Sequence, residues 1–138
     1  MSDSAANREL IRNIYVAAAA GDVGPLFAAM GDDFVAYEAD SLPWGGVHRG
    51  LEANRRLVET LARYLDFATL DMHHYLVDGE MVIALGSVVW RGIDGDQATE
   101  VPLAEAWEVR GGKAVSLRPF FFDTAAMLAP TTTKGVAV

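Results

Sequence analysis

Apolar side chains recur at helical spacing near the start of the chain. Leu10, Ile11, Ile14, Tyr15 and Ala18 fall on one side of a turn of 3.6 residues, and Arg8, Glu9, Arg12 and Asn13 fall on the other. The pattern predicts a helix over Ala5 to Ala20 with Ser4 as its N-cap. Gly21 ends it, and Asp22 caps a short second helix running to about Met30, with Pro25 in its first turn. Gly31-Asp32-Asp33 reads as a turn, Phe34 to Glu38 as a short strand, and Ala39 to Gly50 as a loop rich in Gly and Pro with Trp44 in its middle. Leu51 to Leu65 returns to helical spacing, with Leu51, Leu57, Val58, Leu61, Ala62 and Leu65 on the buried side.

Beyond Leu65 the period changes to two. Phe67 to Val77 predicts a strand, Asp78-Gly79-Glu80 a hairpin turn, and Met81 to Arg91 a strand that is apolar on both faces, as a strand covered on both sides would be. Ile93 to Asp96 is a further turn. Ala98 to Val109 and Ala114 to Phe122 form the last two strands, joined at Arg110-Gly111-Gly112-Lys113, where Gly-Gly supplies the positive φ of a tight hairpin. Asp123 to Leu128 reads as a final helical turn, and the small, polar stretch from Pro130 to Val138 as a disordered tail. Helices first and a four-strand meander last make a single α+β domain over residues 1–138. Such a sheet can curl around the helices and enclose a cavity.

Composition narrows the function classes. The chain has 138 residues, 51% of them hydrophobic, yet no apolar run long enough to span a bilayer. It has no cysteine, which rules out disulfides and thiolate metal sites, and its start lacks the basic and apolar segments of a signal peptide, so a cytoplasmic protein is expected. The formal charge of −8 and the lack of any basic cluster beyond Arg55-Arg56 argue against nucleic-acid binding.

Candidate chemistry centres on acids in apolar company. In the Ala98 to Val109 strand, Val101, Leu103, Glu105, Trp107 and Val109 share a face, so Glu105 is a carboxylate in an apolar row. Either it pairs with Arg118 across the hairpin or it is placed for chemistry. Glu38 ends the first strand where the chain enters the Gly-rich loop, a place for a base at a cavity edge; otherwise it is a solvated loop acid. Asp123 reads as a helix cap before Thr124-Ala125-Ala126-Met127. His74 shares a face with Leu70, Met72 and Leu76, while His73 points the other way, so the two cannot jointly hold a metal, and His48 lies far off; no metal site is expected. Tyr15, Trp44, Trp90, Trp107, Phe120 and Phe122, with Arg118 beside the last two, are either core or the lining of a site for a flat hydrophobic ligand, Trp44 being placed at its mouth.

Three segments carry a family resemblance. The first is the Ala-Gly-Asp22 helix end followed by Gly31-Asp32-Asp33-Phe34. The second is Ser41-Leu42-Pro43-Trp44-Gly45-Gly46-Val47-His48-Arg49-Gly50. The third is Gly112-Lys113-Ala114-Val115 with Arg118-Pro119-Phe120-Phe121-Phe122-Asp123-Thr124. Together the chain resembles the NTF2-like superfamily and, within it, the SnoaL-like polyketide-cyclase group. The resemblance implies a cone-shaped, curved antiparallel sheet wrapped around the N-terminal helices, a homodimer through the outer sheet face, and no cofactor. Glu38 is similar in position to the proton-moving carboxylate of ketosteroid-isomerase members, and Glu105 to their protonated, hydrogen-bond-donating acid. The tyrosine of their first helix falls nearest Ile14, with Tyr15 one residue, or about 100° of helix, away. Asp123 is similar to the late acid/base aspartate of the cyclases. Two functions follow. One is cofactor-free isomerase or cyclase chemistry on a small hydrophobic, cyclic or polyketide-like molecule. The other is a non-catalytic ligand-binding or dimerisation module of the same fold.

Overall fold

A computed structural model describes residues 3–129. The tail expectation for 130–138 lies outside them.

Helix α1 (Ser4–Ala19) buries Ile11, Ile14, Tyr15 and Ala18, the predicted stripe. Its cap is Asp3, not Ser4: the Asp3 carboxylate accepts from the amide of Ala6 at 3.1 Å, and Ser4 is the first helical residue. Helix α2 (Gly24–Ala29) starts one residue later than expected, with Pro25 in its first turn. Val23 takes the cap position, and Asp22 Oδ1 instead accepts from Gly24 N at 2.8 Å.

Strand β1 (Met30–Glu38) begins before the expected turn, so Gly31, Asp32 and Asp33 lie inside it. The Gly-rich loop hides a second strand, β2 (Gly46–Arg49), which pairs antiparallel with β1. Helix α3 (Gly50–Tyr64) packs on β1. The meander follows as β3 (Leu65–Asp78), β4 (Met81–Trp90), β5 (Thr99–Arg110) and β6 (Lys113–Phe121), and then α4 (Thr124–Leu128). Gly111 and Gly112 take φ of 58° and 77°, the left-handed pair a two-residue hairpin needs.

The sheet has six strands in the order β2-β1-β6-β5-β4-β3. It is curved and unclosed. The expected all-antiparallel sheet is corrected at one seam: β1 runs parallel to β6, Ala36 lying level with Leu117. The helices cover the inner face, with α1 against β3. Val82, Ala84, Val88 and Trp90 of β4 are buried there. Its other face is open in the single chain, where Met81 and Leu85 are exposed.

Three register shifts set which side chains face inward. In β3 the register against β4 shifts between Asp66 and Asp71 and again between Met72 and His74. Phe67, Leu70, Met72, Tyr75 and Val77 therefore pack on the core, and His74 and Leu76 turn outward. The same kink brings the His73 and His74 rings to 4.9 Å, correcting the expectation that they face opposite sides. In β6 the register shifts where Val109 pairs with Ala114 but Glu108 pairs with Ser116, leaving Val115 as the extra residue.

Candidate functional site

The Val115 bulge decides the chemistry of the cavity. Without it, a hairpin counted from Arg110 opposite Lys113 would set Arg118 opposite Glu105. With it, Glu105 faces Pro119 and Arg118 faces Ala106, on the outer side of the sheet. The Glu105–Arg118 salt bridge, one of the two alternatives for this acid, is therefore absent, and the Arg118 guanidinium lies 4.5 Å over the ring of Tyr37. The same flip turns Phe120 and Phe122 outward, 56% and 81% exposed, and sends Leu117, Pro119 and Phe121 inward.

Glu105 finds a different partner. Tyr15, on the buried stripe of α1, donates its hydroxyl proton to Glu105 Oε1 at 2.6 Å. Trp107, two residues along the same face of β5, donates Nε1–H to the Tyr15 oxygen at 2.7 Å, with the two rings edge to face at 6.1 Å. The relay runs from Trp107 to Tyr15 to Glu105. Ile14 also lines the cavity, so the helix turns both residues toward it, and the hydroxyl of Tyr15 reaches the acid.

Glu38, 7% exposed, closes β1 and faces the same cavity. Its Oε1 accepts from Trp44 Nε1 at 2.9 Å. Continuing the parallel register of Ala36 on Leu117 by two residues brings Glu38 level with Pro119, the partner of Glu105. One transverse row of the sheet thus carries both carboxyls, one on each side of a proline.

The cavity holds about 100 Å³ and is walled mainly by Ile14, Leu26, Phe34, Leu57, Leu70, Leu103 and Phe121. Its polar side chains among the described residues are Tyr15, Glu38, Asn54, Glu105 and the indole of Trp107, and none of these is cationic. Apolar walls penalise charge. Burial pushes Glu105 from 4.5 up to about 7, against the downward pull of the Tyr15 hydrogen bond. Burial, then the Glu105 charge, push Glu38 likewise from 4.5 to about 7, while the Trp44 hydrogen bond opposes the rise. Tyr15 moves well above its usual 10.0, through burial and then the nearby Glu105, so its hydroxyl keeps its proton. Each carboxyl can therefore hold or release a proton near neutral pH, as acid–base work requires.

Other residues named from sequence lie elsewhere. Asp123 caps α4, accepting from Ala126 N at 3.0 Å, and borders a shallow depression with Trp90, Phe122 and Met127. Trp90 stacks on Tyr64 at 5.8 Å within the core. Trp44 is 3% exposed, packed behind the cavity wall rather than at its mouth. His74 is exposed on the outer face. Among the described residues no group of three or more His, Asp and Glu side chains is placed to hold a metal ion. Asn54 was not foreseen. Its amide donates to the carbonyls of Phe34, His48 and Gly50 at 3.4, 3.0 and 2.8 Å, tying α3 to β1 and β2. Its place among leucines on the apolar side of α3 was the available signal.

The folded chain is similar to several solved structures. An NTF2-like protein from Burkholderia xenovorans LB400 aligns with a TM-score of 0.75 and 23% identity over 91% of this chain and 95% of that one. A putative SnoaL-like polyketide cyclase from Jannaschia sp. CCS1 aligns at 0.73 and 16% identity, over 92% and 93%. TerC, co-crystallised with polyporic acid, aligns at 0.75 and 20% identity, over 88% and 94%. These likenesses establish a shared fold. A search of curated proteins found no match. The family model described as the SnoaL-like domain matches residues 11–117, from the buried stripe of α1 to the inward-facing Leu117 of β6, and the chain belongs to that family.

Proposed function

We propose that the chain binds a small, uncharged, largely apolar carbonyl compound in this cavity and moves a proton on it without a cofactor. The observation that carries the reading is the pair of carboxyls, Glu38 and Glu105, both pushed to about 7 and both facing one apolar cavity. A pair holding one proton has a base and a donor at once. In the form that carries this proton on Glu105, Glu38 takes a proton from the carbon beside the carbonyl. Glu105 donates through Oε2 to the carbonyl oxygen as negative charge builds there. Tyr15, itself held by the Trp107 indole, holds Glu105 Oε1 from behind, favouring the other oxygen as the one that faces the substrate. Returning the proton to another carbon isomerises the substrate; attack of the enol carbon on a second carbonyl closes a ring. The TerC complex, in which a similar fold was co-crystallised with polyporic acid, supports an organic ligand for this fold. The volume of about 100 Å³ is below the ~150 Å³ of a cavity that takes benzene, so a monocyclic ligand fits with slight expansion and a polycyclic one needs opening.

Hydrogen–deuterium exchange tests this directly. Small cyclic ketones and diketones are incubated with the protein in deuterium oxide, and loss of the α-proton signal is followed by NMR. Wild type accelerates exchange of at least one of them, and Glu38→Gln slows that exchange about a hundredfold or more. Binding with no acceleration by wild type would leave a ligand-binding module and end the catalytic reading.

We also propose that a second copy covers the outer sheet face. His74, Leu85, Ala104 and Phe120 lie in one transverse row there, and Leu76 and Leu85 are 54% and 36% exposed. A contiguous apolar patch of this kind marks an interface. Light scattering should give twice the 14.9 kDa chain mass, and the double variant Leu85→Arg/Phe120→Arg should return it to 14.9 kDa with the fold intact. A monomeric wild type at micromolar concentration would refute it.

A further inference from the structure

We propose that Trp44 is the positioning residue for Glu38: its indole holds Oε1 and leaves Oε2 as the oxygen that meets the substrate. The inference rests on the reading of Glu38 as the base. The Trp44–Glu38 contact is buried and 2.9 Å long. An indole N–H only donates, and a carboxylate only accepts, so the direction of the bond is fixed. Among the described residues Trp44 is the one hydrogen-bond donor to the Glu38 side chain. One oxygen is therefore pinned, the other free.

The indole is itself closely packed and 3% exposed. Its ring packs against Tyr64 at 5.3 Å, Trp90 at 5.9 Å and Phe121 at 6.1 Å. Its backbone is held in a closed turn, with Leu42 N donating to Ala39 O at 3.0 Å and Gly45 N to Leu42 O at 2.8 Å. The turn is tight enough that a Cβ on Gly45 would lie 2.4 Å from Ala39 O. His48 Nε2 lies 2.8 Å from Trp44 O, an atom that only accepts, so the imidazole donates there and holds the turn from β2. Phe121 lines the cavity, so Trp44 sits one layer behind the wall and reaches the acid from outside the ligand space. This gives Glu38 a fixed orientation without occupying any of the cavity.

The groups that act on Glu38 come from four elements. Glu105 of β5 opposes its charge, Tyr15 of α1 acts through Glu105, His48 of β2 acts through the Trp44 carbonyl, and Tyr64 of α3 packs on the indole. Trp44 is the group among them that directly favours the charged form.

The test uses ligand-free protein, with the carboxyl carbons of Glu38 and Glu105 titrated by NMR. Trp44→Phe keeps an aromatic ring and removes the donor. The Glu38 midpoint should rise by about one unit, the worth of a hydrogen bond to a charged group. The Glu105 midpoint, held by Tyr15, should move less. Trp44→His restores a ring N–H and should bring the Glu38 midpoint part of the way back; Trp44→Leu, which also removes the donor, serves if Trp44→Phe does not fold. An unchanged Glu38 midpoint in the donor-free variant would overturn the assignment, as would equal shifts of both acids. No substrate is needed, so failure of the exchange assay removes the base reading alone, and failure of the titration removes Trp44 alone.

Discussion

Raising the pH from 5 to 8 should destabilise this protein by a few kcal/mol, and Glu105→Gln should remove a large part of that loss. In the unfolded chain both acids release their protons near 4.5; in the folded one they hold them to about 7. Between those values the folded state binds more protons, so stability falls as pH rises. The contribution of these two acids is greatest below 4.5 and fully lost above about 7. A shift of this size corresponds to roughly 3 kcal/mol per isolated group, less per group for two acids that share a cavity. Gln at position 105 keeps an oxygen for the Tyr15 hydroxyl and never charges. Thermal unfolding of wild type and variant at pH 5, 6, 7 and 8 measures the effect. The two should match near pH 5, and the variant should be the more stable at pH 8. Net acidity of the whole chain also favours low pH, and taking the difference between two near-identical proteins removes that background. A difference that stays constant across the range would show that Glu105 titrates like an ordinary surface acid.

The second large effect is expected at Gly86. It lies on the inner face of β4 opposite Met72, beside the β3 bulges. A Cβ there would fall 2.1 Å from Asp71 O and 2.7 Å from Met72 Cα. Both are backbone atoms of the neighbouring strand, so no side-chain rotation relieves the clash. Gly86→Ala should cost about 3 kcal/mol and lower the melting temperature by roughly 10 °C. Gly95→Ala is the control: that glycine also has no side chain to lose, but its surroundings are open and only its φ of 79° resists the change, worth about 1 kcal/mol. Equal melting temperatures for the two variants would mean that β3 does not close over Gly86. The site depends on this closeness, because the β3 residue Leu70 forms part of the cavity wall.

The long elements were legible in the sequence because each carries many residues of one period. Leu10 to Ala18 marked α1, and the alternation of Val101, Leu103, Trp107 and Val109 marked β5. The same alternation exposed Glu105 as an acid among apolar residues, and the end of β1 singled out Glu38. What periodicity could not carry was any break in itself. Counting by twos through β6 placed Arg118 and Phe120 at the cavity, because the slip at Val115 leaves no mark in residue type. The slip between Met72 and His74 did the same for His74. β2 escaped notice because four residues that include Gly46 and Arg49 make no apolar pattern, and backbone pairing with β1 alone defines them. Trp44 was visible as an aromatic in a Gly-rich loop, but its direction depends on the turn that Gly45 closes.

The bulge at Val115 also bears on how such a site can arise and be lost. Deleting Val115 would straighten β6 and leave every pair beyond it as it is, Glu105 opposite Pro119 and Arg118 opposite Ala106, so the pocket would survive the loss of that codon. Taking the extra residue into the ladder at unchanged length would instead slide Arg118 opposite Glu105 and fill the cavity with an ion pair. Relatives of this chain that carry the same acid and the same arginine can therefore differ in having a site at all, and what tells them apart is whether the segment between Gly112 and Pro119 keeps its bulge.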